Sequence, residues 1–492
     1  MEQLIPGSAS YKRIANVVRY YLENDGECPN VEFKHNNADP DKIGEYASAL
    51  SNEARLNDKD FGYLIWGIQD GSRDIVGTTF DPTSKKQGNL DLEAWLLQML
   101  EPKTVRVSFF GLEMEGKPVV VMEVDAAKNM PTSFHGREAI RNGSSNKPLR
   151  EFPYKEAKLW SSFARTEAER EVARGSLSKE EVLRLLDIDS FYRLGGLTSP
   201  KNMDEALAYF VQKGLLKEEC GLYAITVAAA VLLARDLDDF PSLAVKKLRV
   251  IEYASDTLTL AKGERFFDKG YLPCFEDVEA YVIGLLPREE RYSSGRREEI
   301  TLFPKGALRE ALGNLIAHQD LAAPGFGPTI GIHPHYVEYA NPGSFEGDIR
   351  RAMDMLPLTR NPLIVEFLHL AHICESRGMG IDIMEEWMGM EKLPSPLLLS
   401  SNGATKLLFR HYEKLTDWAN VDLMNTVYSF VCYNYIAMRE TGNADIRERL
   451  GIKAENAATA SRIIASAMQS GWIKVADETV GAKARKYVPF WA

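Results

Sequence analysis

Four side chains near the start of the chain have the chemistry to cleave a phosphodiester bond. Glu27, Glu32 and Lys34 are close together in the sequence, and Asp70 ends an apolar stretch further on. Metal-dependent cleavage needs two or three carboxylates around Mg²⁺ or Mn²⁺, which prefer oxygen ligands. The metal polarises the phosphate and lowers the pKa of a bound water. The residue types therefore suit hydrolysis with Glu27, Glu32 and Asp70 as metal ligands.

The elements that carry these residues decide whether they can converge. The segment VEFK (31–34) predicts an extended strand, on which period-2 geometry places Glu32 and Lys34 on one face. Lys34 could then hold the attacking water or stabilise the charge on the phosphorane. Asp70 closes FGYLIWGIQD (61–70), an apolar and aromatic run that predicts a buried strand. On spacing alone, a solvated strand face is the commoner explanation, because ExK arises often by chance.

The neighbouring segments predict a first domain with both helices and a mixed sheet. Helical periodicity is seen in three segments: SYKRIANVVRYYLE (10–23), KIGEYASALSNEARL (42–56) and LDLEAWLLQML (90–100). The segment VRVSFFGLEMEGKPVVVMEVD (105–125) predicts two strands joined at EGK, and EAIRNG (138–143) predicts another short strand. Because strands and helices do not alternate regularly, we expect a mixed sheet.

Several of these motifs, in this order, resemble the AlbA-type domain of the Schlafen family. The matching segments are ECPNVEFK (27–34), IGEYASALSN (43–52), FGYLIWGIQDG (61–71), IVGTTFDP (75–82), NLDLEAWL (89–96) and AIRNGSSNKPLREFPYKEAKLW (139–160). The resemblance implies a metal-dependent endoribonuclease acting chiefly on tRNA-like RNA, with Glu27, Glu32 and Asp70 as catalytic acids and Lys34 beside them. Many bacterial relatives that were described as DNA-binding regulators lack the first Glu, so the presence of Glu27 favours cleavage.

Basic residues in the same region are candidate nucleic-acid contacts. They are Lys85, Lys86, Arg137, Arg141, Lys147 and Arg150. The run from Arg141 to Lys147 resembles the family's strand-turn pattern IRxGSxxK. A Gly/Ser turn that exposes backbone N–H groups between two cations suits a phosphate. An ordinary hairpin with solvated cations explains the run equally well.

A second group of candidate residues lies on the helix predicted over 303–320. Glu310 and Asn314 share one helix face, although ExxxN alone is a weak signal. The segments REALGNLIAHQD, VEYANPG, LTRNPLIVEFL and ICESRGMGID resemble the GHKL ATPase-like domain of RecG-like and Schlafen-type bacterial proteins. The resemblance implies an ATP site and possible weak ATPase activity, with six nucleotide-binding residues: Glu310, Asn314, Asn341, Gly343, Gly378 and Gly380.

This second site departs from the pattern of a working GHKL ATPase. Such a site has DxGxG, whose Asp reads the adenine amino group, whereas this chain has Asn341-Pro342-Gly343. An amide can still bond to a base, so nucleotide binding is better supported than hydrolysis. Gly378 and Gly380 would let the backbone approach phosphates, but they also fit a helix-breaking turn.

The remaining segments complete an α+β multidomain prediction. Residues 166–180 are polar and predict a linker, and the helices and hairpin after them have the outline of a winged helix. From about residue 420, three helices and a hairpin predict a second winged helix. Its candidate contacts with DNA are Arg462, Gln469, Lys483, Arg485 and Lys486, and docking to protein is an equal alternative. The predicted domains are a Schlafen AlbA-type nuclease domain with a mixed sheet (1–165), a connector with a winged-helix-like segment (166–300), a GHKL-like α/β sandwich (301–400) and a C-terminal winged helix (415–492).

Composition limits the partners and the compartment. The formal net charge of the 492 residues is −11, so any nucleic acid must bind at local basic patches. The five cysteines are scattered and form no CxxC pair, which predicts reduced cytosolic thiols and no structural zinc. No secretory signal and no run of 18 apolar residues is present, so we expect a cytoplasmic protein without membrane contact.

Three functional hypotheses remain open. The first is an Mg²⁺- or Mn²⁺-dependent RNase, regulated by its C-terminal domains and acting in anti-phage defence as relatives do. The second is a DNA-binding transcriptional regulator that senses a nucleotide and does not cleave. The third is a GHKL ATPase whose first domain only docks nucleic acid. Animal Schlafen nucleases pair two related lobes, and only one such lobe is visible here, so we also expect a homo-oligomer.

Overall fold

The computed structural model describes residues 1–25, 27–36, 38–57, 59–69, 71–164, 168–200, 202–219, 221–258, 260–293, 296–325, 327–355, 359–374, 380–412, 414–481 and 484–492. The chain folds into two compact units. The N-terminal unit is Met1–Thr166 with Glu218–Leu222, and the C-terminal unit is Glu167–Lys217 with Tyr223–Ala492. Both contain helices and sheets, which confirms the α+β multidomain class. Within the described residues, no helix has the length and apolar character needed to cross a bilayer.

The N-terminal unit is built from short and long strands with four α-helices. The strands are β1 (Glu2–Gln3), β2 (Val31–Lys34), β3 (Phe61–Trp66), β4 (Lys86–Gln87), β5 (Leu90–Asp91), β6 (Leu100–Glu101), β7 (Val107–Met114), β8 (Lys117–Asp125), β9 (Ser133–Phe134), β10 (Arg137–Asn142) and β11 (Ser145–Pro148). The helices are α1 (Ala9–Tyr20), α2 (Pro40–Leu56), α3 (Leu92–Met99) and α4 (Pro153–Ala164).

A five-stranded mixed sheet in the order β1-β7-β8-β3-β2 forms the frame of this unit. Strands β2 and β3 are parallel, and α2 makes the crossover that a parallel pair requires. Strands β7 and β8 form the predicted hairpin at EGK, with Glu115 and Gly116 both at positive φ. That conformation is typical of a two-residue turn between twisted antiparallel strands. The predicted mixed sheet is therefore confirmed, with β2 at its edge.

Helices cover both faces of the sheet. Helix α1 packs on one face, in a core that includes Val31, Phe33 and Tyr63. Helices α2 and α3 pack on the other face, around Leu64 and Trp66. Because β2 alternates, Glu32 and Lys34 lie on the α2 side of the sheet. The hairpin β10–β11 packs against α2 as well, so it comes close to the same edge.

The C-terminal unit begins with a small sheet and helices. These elements are β12 (Val172–Leu177), α5 (Lys179–Leu185), α6 (Ile188–Leu194), α7 (Met203–Lys213), β13 (Leu216–Glu219), β14 (Leu222–Thr226) and α8 (Val227–Leu233). The end of β13 and the first residue of β14 fall in Glu218–Leu222, which is grouped with the N-terminal unit. The prediction of a polar linker over 166–180 is wrong for its described part, because β12 pairs with β14 there. The predicted helices and hairpin are present, and their assignment to a winged helix stays a prediction.

A six-stranded mixed sheet in the order β16-β15-β19-β20-β22-β21 follows. Its elements, with a separate hairpin β17–β18, are β15 (Leu248–Tyr253), β16 (Ala261–Phe267), α9 (Tyr271–Leu285), β17 (Arg288–Ser293), β18 (Arg296–Thr301), α10 (Lys305–Ala317), β19 (Thr329–Ile332), β20 (Tyr336–Pro342), α11 (Pro362–Leu370), α12 (Gly380–Met390), β21 (Leu397–Ser401) and β22 (Ala404–Arg410). The sheet takes strands from both sides of the predicted 301–400 segment. One hydrophobic core also runs from Leu177 to Phe409, across the predicted boundary at residue 300.

The last segment has its own core around Val431 and Ile464. Its elements are α13 (Asn420–Ile436), β23 (Thr441–Gly442), α14 (Asn443–Arg449), α15 (Ala457–Gln469), β24 (Ile473–Val475) and β25 (Lys486–Pro489). The strands form a three-stranded antiparallel sheet in the order β23-β25-β24. The predicted order of three helices and a hairpin is present.

Glu169 is the buried residue in the polar segment before β12. Its side chain is 0% exposed, and its two carboxylate oxygens accept hydrogen bonds from the backbone N–H groups of Leu363 (2.8 Å) and Ile364 (2.9 Å). These N–H groups belong to the first turn of α11, which has no intrahelical acceptor for them. The negative carboxylate also lies at the positive end of the α11 dipole, which is a favourable position for it.

We therefore predict that Glu169→Gln lowers the apparent free energy of unfolding by about 1.5–3 kcal/mol, the usual value for hydrogen bonds to a charged group. Urea denaturation followed by circular dichroism measures this change. Glu171→Gln is the matched control, because Glu171 is exposed. Equal stability of the two variants would contradict the role assigned to Glu169.

Candidate functional site

Glu32 is a buried carboxylate at the edge of the main sheet. Its side chain is 2% exposed on β2. It accepts hydrogen bonds from Lys34 Nζ, from the Tyr46 hydroxyl at 3.0 Å and from Arg141 Nη2. We call Glu32, Lys34, Tyr46 and Arg141 the Glu32 cluster. A buried charge needs such partners, because leaving water without them is costly.

Arg141 lies inside the protein and not on its surface. The residue is 3% exposed, and Nη1 donates to Asn146 Oδ1 at 3.1 Å across the β10–β11 hairpin. Lys155 on α4 donates from Nζ to the Arg141 carbonyl at 2.8 Å. Arg141 was expected to contact phosphate at the surface. In the structure it is buried and connects the β10–β11 hairpin to Glu32.

Tyr46 on α2 is a member of the cluster that sequence reasoning missed. The Lys34 ammonium and the Arg141 guanidinium each lie 5.5 Å from the centre of its ring. Partial burial and the neighbouring Glu32 charge raise the pKa of the Tyr46 hydroxyl. Burial alone would lower the pKa of Lys34, but its hydrogen bond to Glu32 and the Glu32 charge outweigh burial and raise it. Lys34 and Tyr46 are therefore both held in their protonated forms beside a carboxylate.

Glu27 lies at the same strand edge, in an exposed position. One of its carboxylate oxygens accepts a hydrogen bond from the Phe33 N–H at 2.9 Å, between Glu32 and Lys34 in the sequence. Asp70 lies outside the described residues. The end of β3 before it is fixed to β2, because the Gly67 N–H donates to the Lys34 carbonyl at 2.8 Å. The structure thus brings Glu27, Glu32 and Lys34 together.

Oxygen donors such as these fit Mg²⁺ or Mn²⁺, but they are not all free to bind. Among the described residues, no group of three His, Cys, Asp or Glu side chains has a metal-binding arrangement. Both oxygens of Glu32 already accept hydrogen bonds. Glu32 fits a metal only if Lys34 or Arg141 releases it, and Glu27 already accepts the hydrogen bond of the Phe33 N–H.

The other cations predicted to contact nucleic acid are on the surface. Within the described part of the chain none of them forms an ion pair, and the five exposed residues are Lys85, Lys86, Arg137, Lys147 and Arg150. Unpaired surface cations can neutralise phosphates without first breaking an internal salt bridge. The segment 137–158 contains six basic and three acidic residues, within a chain of net charge −11.

The C-terminal unit contains a pocket that gathers three of the six predicted nucleotide-binding residues. Asn314, Asn341 and Gly380 line a cavity of about 190 Å³. Glu310 lies behind Asn314 and accepts its Nδ2–H at 3.3 Å. Ser344, which follows Gly343, is also in the wall. Gly378 lies outside the described residues.

Two features of this pocket bear on its ligand. Asn341 donates from Nδ2 to the His318 carbonyl at 2.9 Å, so its amide nitrogen is already used by the protein. The carbonyl oxygen of Asn341 is then the atom left to accept from a base. Arg360, which sequence reasoning missed, also lines the pocket. Its Nε donates to Glu346 Oε1 at 2.9 Å, and its Nη1, which makes no hydrogen bond among the described residues, lies 3.8 Å from Asp320 Oδ2. Two carboxylates therefore already pair with this cation in the pocket wall.

Asp382, in the first turn of α12, has a carboxyl group with a raised pKa. Burial, and then the charge of Glu385, raise the pKa of Asp382 to about 6. Glu385 itself is paired with Arg449 of α14, with 3.0 Å between Oε1 and Nε. Helix α12 therefore joins one wall of the pocket to the C-terminal core.

The predicted contacts of the last segment are less concentrated. Arg462 and Gln469 are exposed on α15, and Lys486 pairs with Glu440 at 3.5 Å. Arg485 has a buried Nε, and Lys483 lies outside the described residues. The exposed face of α15 presents one charged side chain, so the structure adds no support for base reading by this helix.

The protein is of the α+β class, and its N-terminal unit combines carboxylates at a strand edge with exposed cations. Such groups are suited to contact with nucleic acid. Comparison with known proteins makes the assignment more specific. Residues 27–150 match the family model described as Schlafen, AlbA_2. Residues 325–409 match the model described as putative ATP-dependent DNA helicase recG C-terminal. The chain thus combines a Schlafen AlbA_2 domain with a RecG-like ATPase-type domain, which confirms the family resemblance and indicates a nucleic-acid-related function.

Other comparisons add little. No curated protein matches the chain. Among solved structures, the DIP2311 protein from Corynebacterium diphtheriae is 14% identical over 98% of this chain and 96% of that chain, with a TM-score of 0.41. Similarity at that level carries no argument about fold or function.

The Glu32 cluster yields a stability prediction. Arg141→Met should lower the free energy of unfolding by about 3 kcal/mol or more, because it removes one partner of a buried ion pair. The double variant Glu32→Gln/Arg141→Met should lose less than the sum of its two single variants. Denaturant unfolding of all four proteins gives the coupling energy.

Arg137→Met is the control, since Arg137 is exposed on the same strand and should change stability by at most about 0.5 kcal/mol. Additive effects of Glu32→Gln and Arg141→Met would show that the two side chains are not paired in solution.

Proposed function

We propose that the N-terminal unit is a metal-dependent endoribonuclease that cleaves tRNA or similar structured RNA. The observation that carries this proposal is the position of Glu27, whose carboxylate is bonded to the Phe33 N–H, between Glu32 and Lys34 on β2. Two acids and a lysine therefore meet at one strand edge, next to the end of the strand that leads to Asp70. If Glu32 and Lys34 formed an ExK pattern by chance, nothing would require a second acid, Glu27, at the same strand edge.

Each part of the site has a chemical task in this proposal. Mg²⁺ or Mn²⁺ would supply Lewis-acid polarisation of the phosphate and a more acidic water. Glu27 and Asp70 would hold the ion, joined by Glu32 once a cation of the cluster moves to the substrate. Lys34, whose raised pKa keeps it charged, would donate to a phosphate oxygen. The five exposed cations would bind the RNA backbone on either side.

A second function is favoured by a different observation. Both oxygens of Glu32 are occupied by Lys34, Tyr46 and Arg141, an arrangement that needs no metal. A domain that keeps this arrangement would bind nucleic acid without cleaving it. The protein would then act as a DNA-binding regulator.

The RecG-like domain is proposed to bind ATP and to regulate the N-terminal unit. The shared pocket of Asn314, Asn341 and Gly380 supports this assignment. We also propose a GHKL-like fold for this domain and winged-helix folds for the segments around α5–α7 and α13–α15. For the whole protein we propose a homo-oligomeric state and a role in anti-phage defence.

Incubation of purified protein with total tRNA and Mn²⁺ tests the nuclease proposal. Wild-type protein should cleave tRNA, EDTA should stop cleavage, and Glu32→Ala should reduce the rate by about 100-fold or more, since metal catalysis is worth several kcal/mol. Glu310→Ala should keep the activity measured without ATP. Glu27→Gln tests the site with less risk to the fold because Glu27 is exposed, and the similarly exposed Glu151→Gln is its control.

Intact tRNA with the wild-type protein, both with and without ATP, would rule out the nuclease proposal. Retarded migration of uncleaved RNA or DNA in the same samples would support the non-cleaving regulator.

The nucleotide pocket has its own test. A Cβ added at Gly380 would lie 2.6 Å from Glu310 Oε1 and 2.8 Å from Asn314 Nδ2, so Gly380→Ala must displace this pair. We expect at least a tenfold weaker affinity for Mg·ATP by isothermal calorimetry, corresponding to about 1.4 kcal/mol. Gly284→Ala is the control, because nothing lies within 4 Å of its added Cβ. Unchanged affinity in Gly380→Ala would place the nucleotide elsewhere.

A further inference from the structure

Helix α4 presents two large aromatic side chains to solvent. Tyr154 is 81% exposed and Trp160 is 46% exposed. At 100° per residue, Tyr154 and Trp160 lie about 120° apart around the helix, with the exposed Ala157 midway between them. We call Tyr154, Ala157 and Trp160 the α4 surface.

The opposite side of α4 is firmly packed, so the exposed side is fixed in position. Leu159 is 0% exposed in a small core with Leu56 and Ile140. Phe163 lies 5.7 Å from the Arg55 guanidinium, and the edge of the half-exposed Trp160 ring packs against it, with 5.7 Å between the ring centres. The exposure of Tyr154 and Trp160 is therefore a consequence of which helix face is buried.

The α4 surface is next to the cation-rich hairpin. Lys147 and Arg150 precede Tyr154 within eight residues of sequence, and both are exposed without an ion pair among the described residues. Lys155, which follows Tyr154 directly, holds the carbonyl of Arg141 in the Glu32 cluster. Tyr154 of the α4 surface is therefore the sequence neighbour of Lys155, which connects α4 to the Glu32 cluster.

Aromatic rings beside unpaired cations match one chemistry in particular. Single-stranded nucleic acid offers flat bases that stack on aromatic rings and phosphates that attract cations. A duplex offers phosphates but keeps its bases stacked inside. An apolar protein partner would use the rings but would gain nothing from Lys147 and Arg150.

We propose that the α4 surface binds unpaired nucleotides by stacking, with Lys147 and Arg150 holding the adjoining phosphates. This inference rests on the proposed nucleic-acid function and adds the class of substrate: RNA with a single-stranded segment next to the cleaved or bound site. Tyr154 and Trp160 act in binding and are not catalytic residues.

The test is fluorescence anisotropy of the full-length protein in EDTA, with a labelled single-stranded RNA and a duplex of the same length. Tyr154→Ala should raise the Kd for the single strand about 5- to 150-fold, the range measured for loss of one stacked base. Trp160→Ala should act in the same direction, and Tyr154→Phe should bind like wild type. Affinity for the duplex should not change.

Ile5→Ala is the matched control, because Ile5 is 74% exposed in the same unit and lies in another segment. The stacking proposal is overturned if Tyr154→Ala leaves single-strand binding unchanged while Lys147→Glu/Arg150→Glu weakens it. It is also overturned if Tyr154→Ala converts an oligomer into monomers in light scattering, since the surface would then be a protein interface. Failure of wild-type protein to bind either RNA would instead overturn the proposed function itself.

Discussion

The buried charge of Glu32 is the constraint on which the N-terminal unit depends. A carboxylate that is 2% exposed at the edge of a sheet is stable only if its neighbours supply donors and positive charge. Lys34 comes from the same strand, Tyr46 from α2 and Arg141 from β10, so one charge ties together three elements. The same interaction also positions the hairpin β10–β11 and helix α4. Arg141 bonds across the hairpin to Asn146, and Lys155 of α4 bonds to the Arg141 carbonyl.

This arrangement also sets the electrostatics of the site. Two cations face one buried carboxylate, which leaves the Glu32 cluster with an excess of positive charge. Exposed cations on the hairpin add to that excess, although the whole chain is acidic. The exposed cations of the hairpin are therefore the groups at this edge that can neutralise phosphates. Transfer of a cation from Glu32 to a phosphate would in turn free the carboxylate for a metal, so substrate binding and metal binding would support each other.

The parts of this structure that follow local pattern could be predicted from the sequence. The helix α2, the hairpin at EGK and the strand that carries Glu32 all follow from periodicity and turn residues. Long-range pairing could not be predicted in the same way. Glu32 and Arg141 are 109 residues apart, and nothing local marks Arg141 as buried.

The linker prediction failed for a related reason. A polar segment usually faces solvent, but the carboxylate of Glu169 satisfies a helix terminus 194 residues away. Tyr46 was missed because a tyrosine on an amphipathic helix is usually a core or boundary residue. Only the folded geometry shows that its hydroxyl meets Glu32 and that its ring lies near two cations. In the C-terminal unit, Arg360 was missed because no local pattern connects it with Asn314 and Asn341.

The most direct test of the central claim is to map where the protein touches RNA. Photocross-linking of 4-thiouridine-labelled tRNA to the full-length protein in EDTA, followed by mass spectrometry, identifies the contacting peptides without requiring cleavage. We predict cross-links in 137–160 and around Lys85 and Lys86, where the exposed candidate cations lie. Cross-links confined to the C-terminal unit would contradict the assignment of nucleic-acid handling to the N-terminal unit.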